Sequence, residues 1–367
     1  MKTPLETISI QGYKSIRELK DFPLAALNIL IGANGSGKTN FISAFKLINQ
    51  MLQENLQRFI AQEGGANAFL YFGQKNTEAV VLSLKFGNNG YDCVLNPAAG
   101  DTLIFGDEQV WFHDKSRFPR PYEVGLGSGH RETRLFEYSQ SNPKTTIADH
   151  VIKAMQSWRV YHFHDTSAGA RVKQKGDLND NHVLRSDAAN LAAFLYLLRE
   201  TAEPYYRKIV SAIRLVAPFF DDFNLRPDPF NPEKIQLEWR EVGSDAYFNA
   251  NVLSDGTLRF MCLTTLLLQP NLPSTILIDE PELGLHPYAI TVLASLLRSA
   301  ATETQVIVST QSVPLVNQFN PEDIVVVDRL NQQSVFRRLG ENELEGWLDD
   351  YGMGDLWEKN LLGGRPG

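Results

Sequence analysis

Cysteine is nearly missing from this chain: of its 367 residues only Cys93 and Cys262 carry a thiol. They lie far apart without metal-ligand spacing, which excludes a disulfide framework and points to a reducing compartment. Long hydrophobic runs are missing too. The longest strongly apolar stretch, around Phe260–Leu268, is far too short to span a bilayer. Met1-Lys2-Thr3-Pro4 leads into no apolar signal core, so the expectation is a cytoplasmic protein with no membrane partner. Basic charge is not in excess. The formal net charge of -8 argues against a wholly basic nucleic-acid surface, without excluding a local basic groove. Two small basic clusters, Arg171/Lys173/Lys175 and Arg207/Lys208/Arg214, read as solvated surface. Internal repeats, low-complexity segments and sustained heptads are also lacking, which removes a long coiled-coil arm.

What is present is organised around Asn28-Ile29-Leu30-Ile31-Gly32-Ala33-Asn34-Gly35-Ser36-Gly37-Lys38-Thr39. A short apolar run ends in a glycine-rich loop, and an amphipathic segment follows. The spacing Gly32-x-x-x-x-Gly37-Lys38-Thr39 fits a phosphate-binding P-loop between strand and helix. Glycines let several backbone N–H groups face one anion, and the following helix adds its positive end. The set is Gly32, Asn34, Gly35, Ser36, Gly37, Lys38, Thr39 and Asn40. Lys38 is expected to reach the β- and γ-phosphates of ATP, and the Thr39 hydroxyl to ligate Mg²⁺.

The chain exceeds the usual single-domain size, so one large domain with an insertion, or two lobes, is expected. Leu5–Gly12 reads as a strand with a turn at Gly12-Tyr13-Lys14. After Thr39, Phe41, Phe45, Ile48, Leu52, Leu56 and Phe59 mark one helical apolar face. Glu78–Phe86 and Tyr91–Leu95 read as paired strands, joined by a loop longer than two residues. From about Pro97 the pattern degrades, and Gly125–Gly129 reads as a linker in an insertion. Arg159–Asp165 reads as a strand with His162 and His164 on one face, a weak metal candidate. A helix is expected near Asp187–Thr201, capped by Ser186 or Asp187, and another over Tyr205–Leu215. Short strands follow at Ile235–Trp239 and Tyr247–Val252. The expected boundaries are 1–96 for the P-loop part, 97–185 for the insertion, 186–330 for the second part and 331–367 for a tail.

Two further constellations complete the set. Leu253-Ser254-Asp255-Gly256-Thr257-Leu258-Arg259 precedes an apolar helix. Thr275-Ile276-Leu277-Ile278 runs into Asp279-Glu280-Pro281-Glu282, a buried strand with acids at its carboxyl end, where open α/β sheets bind ligands. Asp279 is expected to hold Mg²⁺ through water, and Glu280 to orient and deprotonate the attacking water.

In this order the motifs resemble an ABC-type ATPase head of the RecF/SMC/OLD-like group. Leu253–Thr257 is similar to its LSGGQ signature, Thr275–Glu280 to its Walker B strand, Glu282–Pro287 to its D-loop and Ile307–Ser312 to its switch strand. Ile10–Ser15 is similar to the N-terminal turn near the nucleotide, and Tyr351–Pro366 to the tail of short bacterial ATPases of the group. The resemblance implies an α/β fold, a P-loop NTPase head with a mixed central sheet flanked by helices. It implies a homodimer sandwiching two ATP molecules, with Ser254 and the Gly256 N–H of one copy meeting the γ-phosphate held by Lys38 of the other. It also implies that Lys14 lies at the nucleotide, that Gln74 is the glutamine sensing Mg²⁺, and that Gln311 stands at the switch position, where histidine is common. Asp255, Thr257 and Gln311 depart from the group's pattern and lead to an expectation of slow turnover. OLD-family members add a TOPRIM nuclease. The stretch after Gln311 is short for one, and Glu341, Glu343, Glu345, Asp349 and Asp350 read as a solvated helix face. The expected function is therefore an ATPase subunit controlling a separately encoded nuclease or toxin in anti-phage defence. The alternative is a RecF-like repair ATPase clamping DNA. A transporter ATPase fits less well, for want of a good LSGGQ.

Overall fold

The computed structural model describes residues 3–340 and 351–364; Glu341, Glu343, Glu345, Asp349, Asp350, Arg365 and Pro366 lie outside them. Contacts divide the chain into two units. One is Met1–Trp158 with Pro321–Asp350 and Leu356–Gly367, the other Arg159–Asn320 with Tyr351–Asp355.

The first unit opens with β1 (Thr7–Tyr13), β2 (Ile16–Pro23) and β3 (Leu27–Ile31), then α1 (Lys38–Leu52) and α2 (Leu56–Gln62). β4 (Val80–Phe86), β5 (Asn89–Ala98), β6 (Thr102–Phe112) and β7 (Tyr122–Gly127) lead to α3 (Leu135–Ser141) and α4 (Ile147–Gln156). β8 (Trp158–Tyr161) opens the passage to the second unit, which holds β9 (Gly176–Asp177), α5 (Leu191–Thr201), α6 (Glu203–Val216) and β10 (Phe220–Phe223). There follow β11 (Pro227–Asp228), β12 (Asn231–Ile235), β13 (Glu238–Glu241), β14 (Tyr247–Asn249) and α7 (Asp255–Leu268). β15 (Thr275–Asp279), α8 (Pro287–Ala301), β16 (Gln305–Thr310) and α9 (Val313–Val316) complete its run. β17 (Ile324–Leu330) and β18 (Gln333–Arg338) return to the first unit, and α10 (Met353–Glu358) lies near the end of the described chain.

In the first unit, β2-β1-β4-β5-β6-β7 form an antiparallel sheet. β4 alternates buried and half-exposed residues along its length, the mark of a sheet with one face on the core. β3 is different: all five residues are buried, and it pairs in parallel with β17, which pairs antiparallel with β18. Continuous burial is what a parallel strand covered on both faces requires. The α1 stripe packs over this unit, with Phe41 5.3 Å from the Phe336 ring and Phe45 5.1 Å from Trp158. Each such ring, fully withdrawn from water, contributes roughly 1.5–3 kcal/mol.

In the second unit β15 and β16 pair in parallel, and every residue of β16 is buried. α7 is buried continuously from Leu258 to Leu267, a core helix rather than an amphipathic one. Two small antiparallel sheets, β10-β13-β14 and β11-β12-β9, complete the unit.

Several local expectations change. The apolar face after Thr39 is carried by two helices, because Glu54 turns to φ +51° and the Glu132 carboxylate accepts from the N–H groups of Leu56 and Gln57. A negative group at a helix N-terminus satisfies orphan donors there, so α2 starts afresh. The β4–β5 loop is two residues, since Phe86 pairs with Asn89 and Gly87 takes φ +58°. Gly125–Gly127 belongs to strand β7, not to a linker. α5 begins only at Leu191, after Asn190 rather than Ser186 or Asp187, because Ala188 sits at φ +55° and interrupts the helical path. Ile235 and Trp239 fall in separate strands, and β14 stops at Asn249.

The basic clusters are mostly ion-paired: Arg171 with Asp187, Lys175 with Asp228, Arg207 with Asp222 and Arg214 with Asp221. Lys173 is buried and donates to the Thr166 carbonyl, so it is not solvated surface. Among the described residues no helix is long and apolar enough to cross a membrane.

Candidate functional site

The P-loop lies between β3 and α1 in the first unit. Gly37 occupies the N-cap of α1 at φ +117°, with no side chain capping the helix and no acid in its first turn. The first N–H groups of a helix have no partner within it, so this end presents donors and positive potential to an anion. Space requires two of the glycines. A Cβ on Gly32 would stand 2.2 Å from the Val327 carbonyl oxygen, and one on Gly37 2.0 Å from Ser334 Oγ. Gly35, at φ +78°, is needed for conformation alone, since a Cβ there would meet nothing within 4 Å.

A chain of hydroxyls fixes the loop from outside. Asn40 Nδ2 donates to Ser15 Oγ at 2.7 Å, Ser15 and Ser334 hydroxyls are 2.7 Å apart, and Ser334 Oγ donates to the Ser36 carbonyl at 2.5 Å. Arg329, in β17, donates to the Gly35 carbonyl at 3.1 Å. Lys38 Nζ is folded onto the loop, donating to the carbonyls of Gly32 at 2.7 Å and Ala33 at 3.0 Å. Asn34, Gly35 and Thr39 are exposed. Ser36 Oγ is buried with no hydrogen-bond partner among the described residues. Such an atom costs free energy unless something fills its need, and a phosphate oxygen fits it. Beside the loop is a cavity of about 420 Å³ lined by Lys14, Ser15, Asn40, Ala68, Phe72 and Arg329. Lys14 sits at φ +48° over the Tyr13 and Phe69 rings, and burial pulls its ammonium below its ordinary pKa, against the field of Glu63. Gly37→Ala is expected to cost about 1–3 kcal/mol through its φ, with the clash on Ser334 in addition. Thermal unfolding and ATP affinity should fall together; an unchanged melting temperature would contradict the packing described.

The acids lie at the carboxyl end of β15, in the second unit. Ser309 Oγ donates to the Asp279 carboxylate from the neighbouring strand. Glu280 takes φ +43°, uncommon for a residue with a side chain and costing roughly 1–3 kcal/mol. Its N–H donates to the Ser309 carbonyl at 2.9 Å, and its Oε1 accepts from Gln311 Nε2. Glu282 accepts from the Thr310 hydroxyl and, at 3.3 Å, from the Gln311 N–H. Its other oxygen is buried without a partner among the described residues, and burial raises its pKa above the usual carboxylate range.

Ser254 is the N-cap of α7, accepting from the Thr257 N–H at 3.2 Å, and the two hydroxyls are 2.8 Å apart. Gly256 lies so close to the following loop that a Cβ would stand 2.3 Å from the Gly284 carbonyl oxygen. Arg259 is buried and spends its guanidinium on backbone. Nε donates to Phe163 at 2.9 Å, Nη2 to His164 at 3.2 Å and Nη1 to Leu283. Burial lowers its pKa, against the field of Asp255.

A family described as "AAA domain, putative AbiEii toxin, Type IV TA system" matches residues 27–317. The chain belongs to that family. The P-loop, signature, acids and switch residue all fall within the matched span, so the family assignment and the residue-level reading concern the same segment. Solved structures agree in fold. A crystal structure of the SmcHead bound to the C-winged helix domain of ScpA superposes with a TM-score of 0.57 at 16% identity, covering 93% of this chain and 99% of that one. The Smc head domain with an extended coiled coil from Pyrococcus furiosus, bound to the C-terminal domain of ScpA, gives 0.56 at 15% identity, covering 95% and 99%. The fold is that of an ABC-type P-loop ATPase head, as the motif order implied. Among curated protein sequences none matches the chain.

Of the residues singled out in sequence, the structure gathers Gly32, Ser36, Gly37, Lys38 and Asn40 in one unit, with Lys14 lining the cavity beside them. It gathers Asp279, Glu280 and Gln311 in the other, where Ser254 and Gly256 open α7. Gln311, at the switch position, is bonded to Glu280 here. Gln74 is engaged within its own unit: its N–H donates to Asn67 Oδ1 at 3.0 Å and its side chain to Asp101 at 3.1 Å. His162 and His164 lie beyond the end of β8 with rings 6.2 Å apart and edge-on. Among the described residues no three His, Cys, Asp or Glu side chains gather as a metal site. Sequence reasoning missed Ser334 and Arg329, and it gave Arg259 and His164 none of the backbone contacts seen here. Nothing local marks the first two, which reach the P-loop from about 300 residues away. Arg259 carried a signal, a charge at the start of an otherwise apolar helix.

Proposed function

We propose that this AAA-family chain binds ATP with Mg²⁺, hydrolyses it slowly, and closes as a homodimer on ATP to control a separately encoded effector. The observation that carries the reading is the P-loop cradle: two glycines that admit no Cβ, a buried unpartnered Ser36 hydroxyl and an uncapped helix end.

In this reading the N–H groups from Asn34 to Thr39 and the Lys38 ammonium hold phosphate oxygens, and the ribose and base occupy the cavity at Lys14. The Thr39 hydroxyl would hold Mg²⁺, which prefers few protein ligands plus phosphate and water, and the Asp279 carboxylate has the chemistry to hold such an ion through water. When bound, the ion would neutralise negative charge developing on the phosphates. Glu280 accepts the proton of the attacking water, and Gln311 fixes the carboxylate that does so. Ser254 and the Gly256 N–H serve the γ-phosphate of a second copy, from the positive end of α7. Asp255, exposed in the first turn of that helix, sets a negative charge beside the incoming phosphate and keeps turnover slow.

The family description names a toxin of a toxin–antitoxin system, and the similar Smc heads are described with ScpA bound. Both favour a head that works on a protein partner, here a nuclease or toxin in anti-phage defence. The test is steady-state hydrolysis by the purified protein. Turnover below roughly 1 s⁻¹, the low end of common enzymes, unchanged by duplex DNA, is the expected result. Turnover stimulated by DNA and lost steeply with salt would replace the effector reading with a DNA-repair clamp.

A further inference from the structure

The peptide between Asp279 and Glu280 is held on both sides. Its N–H donates to the Ser309 carbonyl of β16 at 2.9 Å. Its carbonyl, that of Asp279, accepts from His164 Nε2 at 2.7 Å. The acceptor is a carbonyl, so Nε2 carries the proton and the ring is a donor there. This peptide leads directly into Glu280 at φ +43°. A side-chain-bearing residue persists in that region only where its surroundings over-determine it. Two hydrogen bonds on one peptide plane do this: they fix the plane's rotation and with it the directions of both carboxylates.

His164 is itself held. It lies beyond the end of β8, exposed, in a segment with no ladder of its own. The carbonyls of Phe163 and His164 accept from Nε and Nη2 of Arg259, and Nη1 of the same guanidinium reaches the Leu283 carbonyl. Arg259 stands one turn into α7, whose N-cap is Ser254. Gly256, on the same first turn, touches Gly284. One buried, planar, five-donor group thus joins the start of α7, the loop after the acids and the segment that carries His164.

We infer that His164 and Arg259 are positioning residues for the acid pair. His164 clamps the Asp279–Glu280 peptide in its strained conformation, and Arg259 couples that clamp to the signature end of α7, so that a phosphate felt at Ser254 is felt at Glu280. The coupling rests on the proposed ATPase function; the clamp does not.

The experiment uses the whole chain and two readouts. His164 is exposed, so its variants should keep the wild-type melting temperature to within a few degrees. In His164→Ala, amide exchange over peptides covering Glu280–Leu285 should quicken at least tenfold, while peptides over β3 and α1 keep the wild-type rate. In the same variant kcat should fall at least tenfold, with ATP affinity within twofold of wild type. His164→Gln, whose amide N–H can reach the same carbonyl, should recover most of both. Arg259→Lys, which keeps the charge but loses the fork, should quicken exchange over Phe163–Asp165 as well as over Glu280–Leu285. Wild-type exchange and kcat in His164→Ala, or equal damage in His164→Gln and His164→Ala, would overturn the inference. Quickened exchange in a protein whose wild type hydrolyses no ATP would uphold the clamp and sink the ATPase reading instead.

Discussion

Lys38→Ala should bind ATP about 100-fold more weakly than the wild-type chain, from the loss of roughly 3 kcal/mol of charge-assisted hydrogen bonding to phosphate. Lys38 is almost fully buried, 5% exposed, and its ammonium rests on the carbonyls of Gly32 and Ala33. In the proposed reading those carbonyls close the loop around the phosphates, so the lysine would both shape the cradle and supply its charge. Its removal also takes two internal hydrogen bonds from the loop, so a control is needed. Lys38→Met keeps the apolar stem and should unfold near the wild-type temperature while sharing the loss of affinity. Isothermal titration with ATP and Mg²⁺ separates the cases. Wild-type affinity in a folded Lys38→Met protein would remove the P-loop from the account.

Glu280→Gln should keep ATP affinity within a fewfold and lose about 10²- to 10⁴-fold in turnover, the range attributable to a positioned general base. The amide has the shape of the carboxylate and can keep an acceptor oxygen for the Gln311 N–H. What it cannot do is take a proton. The strained backbone at this position is already met by the surrounding bonds, so the substitution should leave the acid loop in place. Single-turnover hydrolysis reads the effect without interference from product release. A variant that hydrolyses at the wild-type rate would move the base elsewhere, with the half-buried Glu282 the nearest other carboxylate on the same loop.

Much of this site was legible in the sequence, for a physical reason. The P-loop and the strand before the acids are local: the short run Leu27–Ile31, a glycine spacing and a helical stripe suffice to place Leu27–Lys38, and Thr275 with three apolar residues before Asp279 places β15. Signals failed where a residue's role is set by distant partners. Gly125–Gly127 is rich in the punctuating residue of turns, yet it pairs with β6 at the edge of a sheet. The helix after the P-loop broke because Glu132, far along the chain, caps α2. The hydroxyls of Ser15 and Ser334 meet across more than 300 residues to hold Ser36. His164 lay in a segment whose alternation suggested a strand with two histidines on one face. The strand ends at Tyr161, and the ring turns instead to the Asp279 carbonyl. No periodicity predicts that contact.

The measurement that tests the central claim most directly is the mass in solution of the Glu280→Gln chain, with and without ATP and Mg²⁺. The account predicts a monomer without nucleotide and a dimer with it, and no such shift when Ser254 is replaced by arginine in the same background. A chain that binds ATP yet keeps one mass under both conditions would contradict it.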